Sequence, residues 1–163
     1  MIDISTVGAQ VEIRPAGGNP IIITRFSEEG TPFECPDVDL SDNRKNLNGE
    51  MISSRVPSVY TVSVTVIPGS DEDIELQRLA QKSSLMSGSV YSIKEIIIES
   101  ISVKVPEINL SDDTGATLRA YTWTNGRMKS APTGPSSSAE GRLAARTYTF
   151  EMERYDSAGR IMS

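Results

Sequence analysis

Between Tyr60 and Val66 the chain alternates strictly: apolar side chains at 60, 62, 64 and 66 are separated by Thr61, Ser63 and Thr65. This period of two marks a strand that buries one face and wets the other. Pro68-Gly69 ends it, because proline offers no N–H to a ladder and glycine tolerates the turn. Ser70 followed by Asp71, Glu72 and Asp73 supplies a capping hydroxyl and carboxylates suited to a helix N-terminus. The spacing predicts a helix from near Asp71 to between Ser84 and Gly88. Leu76, Leu79 and Ala80 dock it, Ile74 stands at the margin, and Glu75, Gln77, Arg78 and Lys82 stay outside. The return run from Ile93 to Val105 holds five isoleucines and two valines, too β-branched for a helix and predicted to be a long strand. Its phase is open: Ile96, Ile97 and Ile98 are consecutive, so either both faces are covered or a bulge follows.

Val11 to Arg14 and Ile21 to Phe26 read as a hairpin joined by Pro15-Ala16-Gly17-Gly18-Asn19-Pro20. Glu34 to Leu40 alternates again, with Asp37 and Asp39 opposite Val38 and Leu40. Ser41 to Pro57 is polar, partly basic at Arg44, Lys45 and Arg55, and without period, which predicts a long exposed loop; Met51 and Ile52 are candidate apolar anchors within it. Loops of that length usually make contacts. Pro106 should end the long strand, and Asn109 to Gly115 forms a turn region. Leu118 to Thr124 is expected to pair with a strand starting at Arg127 across the turn former Asn125-Gly126. Ser130 to Gly141, rich in proline, serine and glycine, reads as a mobile loop. In the last strand, Ala145 to Tyr155, Tyr148, Phe150 and Met152 share one face, with Thr147, Thr149, Glu151 and Glu153 on the other. The expected architecture is a single, mainly β domain over residues 1–163: a β-sandwich or rolled antiparallel sheet with one flanking α-helix.

Composition narrows the function. A chain of 163 residues can bury a real core without staples. The one cysteine, Cys35, excludes an internal disulfide and is expected to be an inert thiol. With no histidine anywhere, Ser-His-Asp and Cys-His catalysis and the commonest zinc ligand are removed, so an enzyme is not expected. The first residues lack a signal-peptide pattern and no run reaches membrane-spanning length, so a soluble protein without a membrane partner is expected. A net charge of −6 argues against tight wrapping of nucleic acid, though not against a surface that DNA slides past.

Candidate chemistry is sparse. Asp37-x-Asp39-x-Ser41-Asp42 begins like a calcium loop, but Asp42 replaces the glycine of position six and Asn48 the glutamate of position twelve, so no metal site is assigned. Asp71 to Asp73 are accounted for by helix capping, and Gly17-Gly18 lacks the context of a phosphate cradle. No cofactor is implied. Tyr121, Trp123 and Tyr148 are read as core aromatics ahead of stacking platforms. Arg142, Arg146, Arg154 and Arg160 form a basic C-terminal section that suits docking against an acidic surface.

The order of these elements, Val62 to Val66 running into Pro68-Gly69-Ser70-Asp71, a helix ending near Leu85 and an isoleucine-rich strand, resembles the tail tube proteins of tailed bacteriophages. Thr124-Asn125-Gly126-Arg127-Met128-Lys129-Ser130 and Arg146-Thr147-Tyr148-Thr149-Phe150-Glu151 are similar to the closing segments of those chains. The resemblance implies hexameric rings, stacked into a tube through which DNA passes in a virion tail, made in the host bacterial cytoplasm, with tail sheath or baseplate proteins as further partners. It also implies that the loop 41–57 reaches a neighbouring ring through Arg44, Lys45, Met51, Ile52 and Arg55. Tube-initiating baseplate proteins and type VI secretion tube proteins share that fold and are not separated by it; a tube initiator or tube-end ring is the alternative among structural readings.

Strand parity points the same way. Strands with one apolar and one polar face can line a wet lumen when sheets join between subunits, and a negative lumen repels phosphate. The lining expected on this basis is Asp37, Asp39, Glu151 and Glu153, with Thr61, Ser63, Thr65, Thr147 and Thr149 as neutral neighbours. The alternative from another class is a monomeric β-sandwich binding carbohydrate or protein through Tyr121 and Trp123.

Overall fold

The computed structural model describes residues 2–3, 9–24, 26, 33–83, 96–109, 117–135, 137 and 141–162. Its strands are β1 Ile2–Asp3, β2 Gln10–Pro15, β3 Ile21–Ile23, β4 Phe33–Glu34, β5 Ser41–Lys45, β6 Met51–Arg55, β7 Tyr60–Val66, β8 Ile98–Asn109, β9 Thr117–Ser130 and β10 Arg146–Met162. One helix among the described residues, α1, runs from Asp71 to Ser83. The main sheet is antiparallel in the order β3-β2-β8-β9-β10-β7-β4, with β1 added beside β8. It curls into a half-barrel, so of the two architectures expected the rolled sheet is the one adopted.

The core follows the alternation read from the sequence. Val62, Val64 and Val66 of β7 meet Tyr148, Phe150 and Met152 of β10, all fully buried, and the apolar face continues through Ile101 and Val103 to Val11 and Ile13. Leu76 and Leu79 bring α1 onto it. Each such side chain contributes about 1.5–3 kcal/mol by leaving water. The helix starts as expected: Ser70 Oγ accepts from Asp73 N at 3.3 Å, Ser70 O from Ile74 N at 3.0 Å, and Asp73 Oδ2 reaches back to Gly69 N at 3.0 Å. Ile74 is solvent-exposed rather than docked. The expected end of the helix, 84–88, lies outside the described residues, as do residues 93–95 of the isoleucine-rich run.

Asn125-Gly126 does not turn the chain. The type I′ turn that Asn-Gly favours requires positive φ at both central positions, and here only Asn125 has it, at 57°. β9 therefore runs straight on between β8 and β10. What the pair does instead is shift the pleat. Ile98, Gly126 and Met152 are register partners, and so are Ile101, Trp123 and Tyr155 three residues along. Between those rows, Glu99/Ser100, Thr124/Asn125 and Glu153/Arg154 all point away from the core, two consecutive residues in each of three strands. This fault explains why the isoleucine run had no readable phase. Ile96 and Ile97 precede the strand, Ile98 is buried, and burial resumes at Ile101.

Residues 41–57 are exposed but not structureless. β5 and β6 pair from Ser41↔Arg55 to Lys45↔Met51, closed by Asn46 Oδ1 accepting from Asn48 N at 3.0 Å and Glu50 N at 2.9 Å, with Gly49 at φ 80°. Both strands are exposed along their whole length. Neither face is buried, so there was no hydrophobic alternation to read. Residues 35–40 form no strand, which removes the parity expected there. Pro106 lies within β8 and does not end it.

A Cβ on Gly126 would overlap the backbone of β10, including Met152 Cα at 2.8 Å. Gly126→Ala is expected to cost about 2 kcal/mol or more in urea unfolding, by forcing β9 and β10 apart. An alanine variant as stable as the parent would contradict this packing.

Candidate functional site

The outward face of the β7–β10 pair collects most of the polar residues expected to act together. Thr65, Ser63 and Thr61 stand opposite Thr147, Thr149 and Glu151. Hydroxyls meet across the strands, Ser63 with Thr149 at 3.2 Å and Thr65 with Thr147 at 3.1 Å. The face extends to Ser102 and Thr122, 3.5 Å apart, and to Glu12. Two expectations change here. Thr65 is 6% exposed and so is covered, leaving Thr147 as the open member of that pair. Nor is the face purely negative: Glu151 lies 3.2 Å from Lys129, and Glu12 lies 2.8 Å from Arg14 and 3.6 Å from Lys104. Glu153 accepts from Asn125 Nδ2. Half-exposed pairs like these add little stability, but they cancel much of the field that the carboxylates alone would project.

Asp37 and Asp39 are exposed and sit elsewhere, on the segment between β4 and β5. That segment, with the sheet end beyond the pleat fault, forms a cleft of about 720 Å³ walled by Phe33, Leu40, Tyr60, Tyr121, Trp123 and Tyr155. Tyr155 stacks at a tilt on Trp123 and Tyr60, with centroids 5.2 and 5.8 Å apart. Cys35 also lines it, its thiol pushed up to about 11 by desolvation and then by the neighbouring Glu34 carboxylate, which leaves it a poor nucleophile near neutrality. Among the described residues, no three His, Cys, Asp or Glu side chains converge as metal ligands.

Beside the cleft projects the β5–β6 hairpin. It carries Arg44, Lys45 and Arg55 with Met51 at 70% and Ile52 at 52% exposure, and Leu47 fully in solvent at its turn. Val56 N to Leu40 O at 3.3 Å and Ser58 Oγ to Asp39 O at 2.9 Å hold its root.

Arg146, read as part of a basic docking section, is instead buried in the fold. Its Nε lies 3.0 Å from Asp73 Oδ1, an ion pair whose N–H is not aligned for a hydrogen bond. Tyr148 Oη donates to the same oxygen at 2.6 Å. The rest of the guanidinium donates to the carbonyls of Gly134 and Pro132 at 3.2 and 3.4 Å, tying down part of the segment expected to be mobile; 136 and 138–140 lie outside the described residues. Arg142 and Arg154 are exposed. The signal for this network was present in the spacing. Arg146 shares strand parity with Tyr148 and Phe150, and Asp73 lies three residues before Leu76 on the helix face that docks. Desolvation, and next the bond to Asp73, push the Tyr148 phenol up to about 12.

The chain is similar to a solved extracellular contractile injection system, the PVC sheath/tube terminator in its extended state (TM-score 0.56, 15% identity, 96% of this chain and 97% of that chain). It is equally similar to a chain of the PVC sheath-tube complex (TM-score 0.56, 15% identity, 96% and 92% covered). The family model described as tail fiber protein gp32 matches residues 2–156, and the chain belongs to that family. It is therefore a protein of the phage-tail-like class. No curated protein sequence shows significant similarity to it.

Asp73→Ala is expected to lower the unfolding free energy by about 3–5 kcal/mol in denaturant titrations, because it strands a buried guanidinium. Asp73→Leu combined with Arg146→Met should lose less than the sum of the single changes, and additivity would contradict the pairing. The pH dependence has a definite sign. A phenol raised from 10 in the unfolded chain to about 12 in the fold keeps its proton longer when folded. Its contribution is complete below about pH 10 and is lost as pH rises towards 12. The difference in phenolate absorbance between the parent and Tyr148→Phe should appear only well above pH 10, together with unfolding.

Proposed function

We propose that the chain is a non-enzymatic structural subunit of a virion tail, assembling as one domain over residues 1–163 into homo-oligomeric, hexameric rings that stack as a tail tube, the conduit for DNA ejection. The observation that carries this reading is the asymmetry of the sheet. One face is sealed by α1 and the core, while the opposite face presents Thr61, Ser63, Thr147, Thr149, Glu151 and Glu153 to water in a half-barrel that does not close on itself. Copies joined side by side would continue the sheet, cover the short edge strands β3 and β4, and turn the polar faces into a common lumen. Hydroxyls and compensated carboxylates give DNA no array of unpaired cations to hold, so transit is nearly frictionless. Sheath or baseplate proteins are the outer partners of such a tube, and synthesis takes place in the host bacterial cytoplasm.

A tube-initiating or tube-end ring is the second reading. The match to a sheath/tube terminator over nearly the whole of both chains favours it.

Negative-stain images of the purified protein over a concentration series, with light scattering, are expected to show rings or stacked tubes with an open centre. A monomer near 17.7 kDa at every concentration would count against the tube and move the carbohydrate- or protein-binding module forward. In assembled particles, Thr149→Lys with Glu153→Lys should slow DNA passage several-fold without changing ring formation; unchanged ejection would remove this face from the lumen.

A further inference from the structure

We infer that Asn48 is a site of spontaneous deamidation in the free subunit, and that the fold shields the identical dipeptide at Asn125 from the same reaction. Asn-Gly occurs at 48–49 and again at 125–126. The chemistry needs no enzyme. The Gly49 nitrogen attacks Cγ of Asn48, a C–N bond forms as the Cγ–Nδ2 bond breaks, and ammonia leaves with the proton given up by the attacking nitrogen. Water then opens the resulting cyclic imide at either carbonyl, leaving aspartate or isoaspartate. Glycine is the favoured following residue because no Cβ crowds the attack. This reactivity belongs to the chain itself and is independent of the tube reading.

The two sites differ in what must move before the nitrogen can reach the side-chain carbonyl. Around Asn48 little has to. Asn48 and Gly49 are exposed, and a Cβ on Gly49 would meet no atom within 4 Å. The turn is held by Asn48 N donating to Asn46 Oδ1 at 3.0 Å and Gly49 N donating to Asn46 O at 3.1 Å. Both bonds lie at the tip of a two-stranded sheet whose strands are exposed throughout, so they open locally at small cost. Asn125 is exposed as well, yet its backbone is locked. It sits at φ 57° and precedes Gly126, which is in register with Ile98 on one side and Met152 on the other. Glu151 O and Met152 Cα leave no room there even for a Cβ, so the peptide cannot swing in place. The Asn125 amide is anchored too, its Nδ2 donating to Glu153 Oε2. Reaction at Asn125 therefore requires β9 to part from its neighbours. At Asn48 the product adds a negative charge to the turn. The isoaspartate form also lengthens the backbone by a methylene, which draws the chain away from Asn46 Oδ1 and loosens the β5–β6 hairpin.

The test incubates the purified full chain in heavy-oxygen water at mildly alkaline pH, digests it at intervals and follows both peptides by mass spectrometry, with an isoaspartate-specific methyltransferase to label the isomer. Conversion at Asn48 should outpace conversion at Asn125 about tenfold or more in the folded chain, because local opening of a hairpin tip is far more frequent than parting of a central strand. In denaturant the two rates should converge, since only the fold separates them. Asn48→Gln should remove the signal from its peptide while leaving circular dichroism unchanged; a surviving signal would move the site to Asn46 and overturn the assignment. Equal rates in the folded chain, or an Asn48 that converts only after unfolding, would overturn the inference. So would a difference that persists in denaturant, because it would then come from neighbouring residues and not from the fold.

Discussion

Everything the sheet presents to its surroundings depends on one buried carboxylate. Asp73 caps its own helix through Gly69 N, accepts from the Tyr148 phenol and neutralises Arg146, whose guanidinium in turn holds the carbonyls of Pro132 and Gly134. The first turn of α1, the start of β10 and the segment after β9 are thus fixed to one another by a single set of bonds. A buried ion pair of this kind is weak as net stabilisation, because desolvating both charges offsets much of their attraction. Its effect is on geometry. An aliphatic pair could hold the helix against β10 in several registers, whereas this set of donors satisfies Asp73 in one. With the helix so placed, the apolar side of β7 and β10 is sealed and the polar side is left free.

That division of faces is what gives the chain its functional character. Its chemistry is that of surfaces: a hydroxyl-rich sheet with compensated charges, a bare hairpin and an aromatic hollow. Among the described residues the sheet stays open and both hairpin strands are exposed along their length, which are features suited to contact with further copies. Membership of the tail fiber protein gp32 family is consistent with that physical reading.

Much of this was legible in the sequence where one face of an element is buried and the other wet. The alternation of 60–66 and 148–152, the Ser70 cap and the β2–β3 hairpin all follow from local patterns that packing reinforces. Legibility failed where that contrast is lost. The β5–β6 hairpin buries neither face, so nothing in 41–57 alternates. The pleat fault moves three neighbouring strands by one residue each, a cooperative feature that no single strand encodes, and so Asn125-Gly126 reads as a turn although flanking strands on both sides hold it straight. Beyond Glu34, the segment 35–40 joins no strand ladder among the described residues. The charge of Arg146 suggests a docking surface, but its parity with Tyr148 is the stronger sign. Of the candidate surfaces, the shared parity of the hydroxyl face is visible in the strands themselves. The cleft is not, since it joins residues more than a hundred positions apart.

Whether the outward face of β7 and β10 borders an open channel is decided by a cryo-electron microscopy reconstruction of the assembled protein. The expected result is a rotationally symmetric ring with Thr61, Thr149, Glu151 and Glu153 on the channel wall and α1 away from it. A ring in which that face is buried against another protein, with α1 facing the channel, would contradict it.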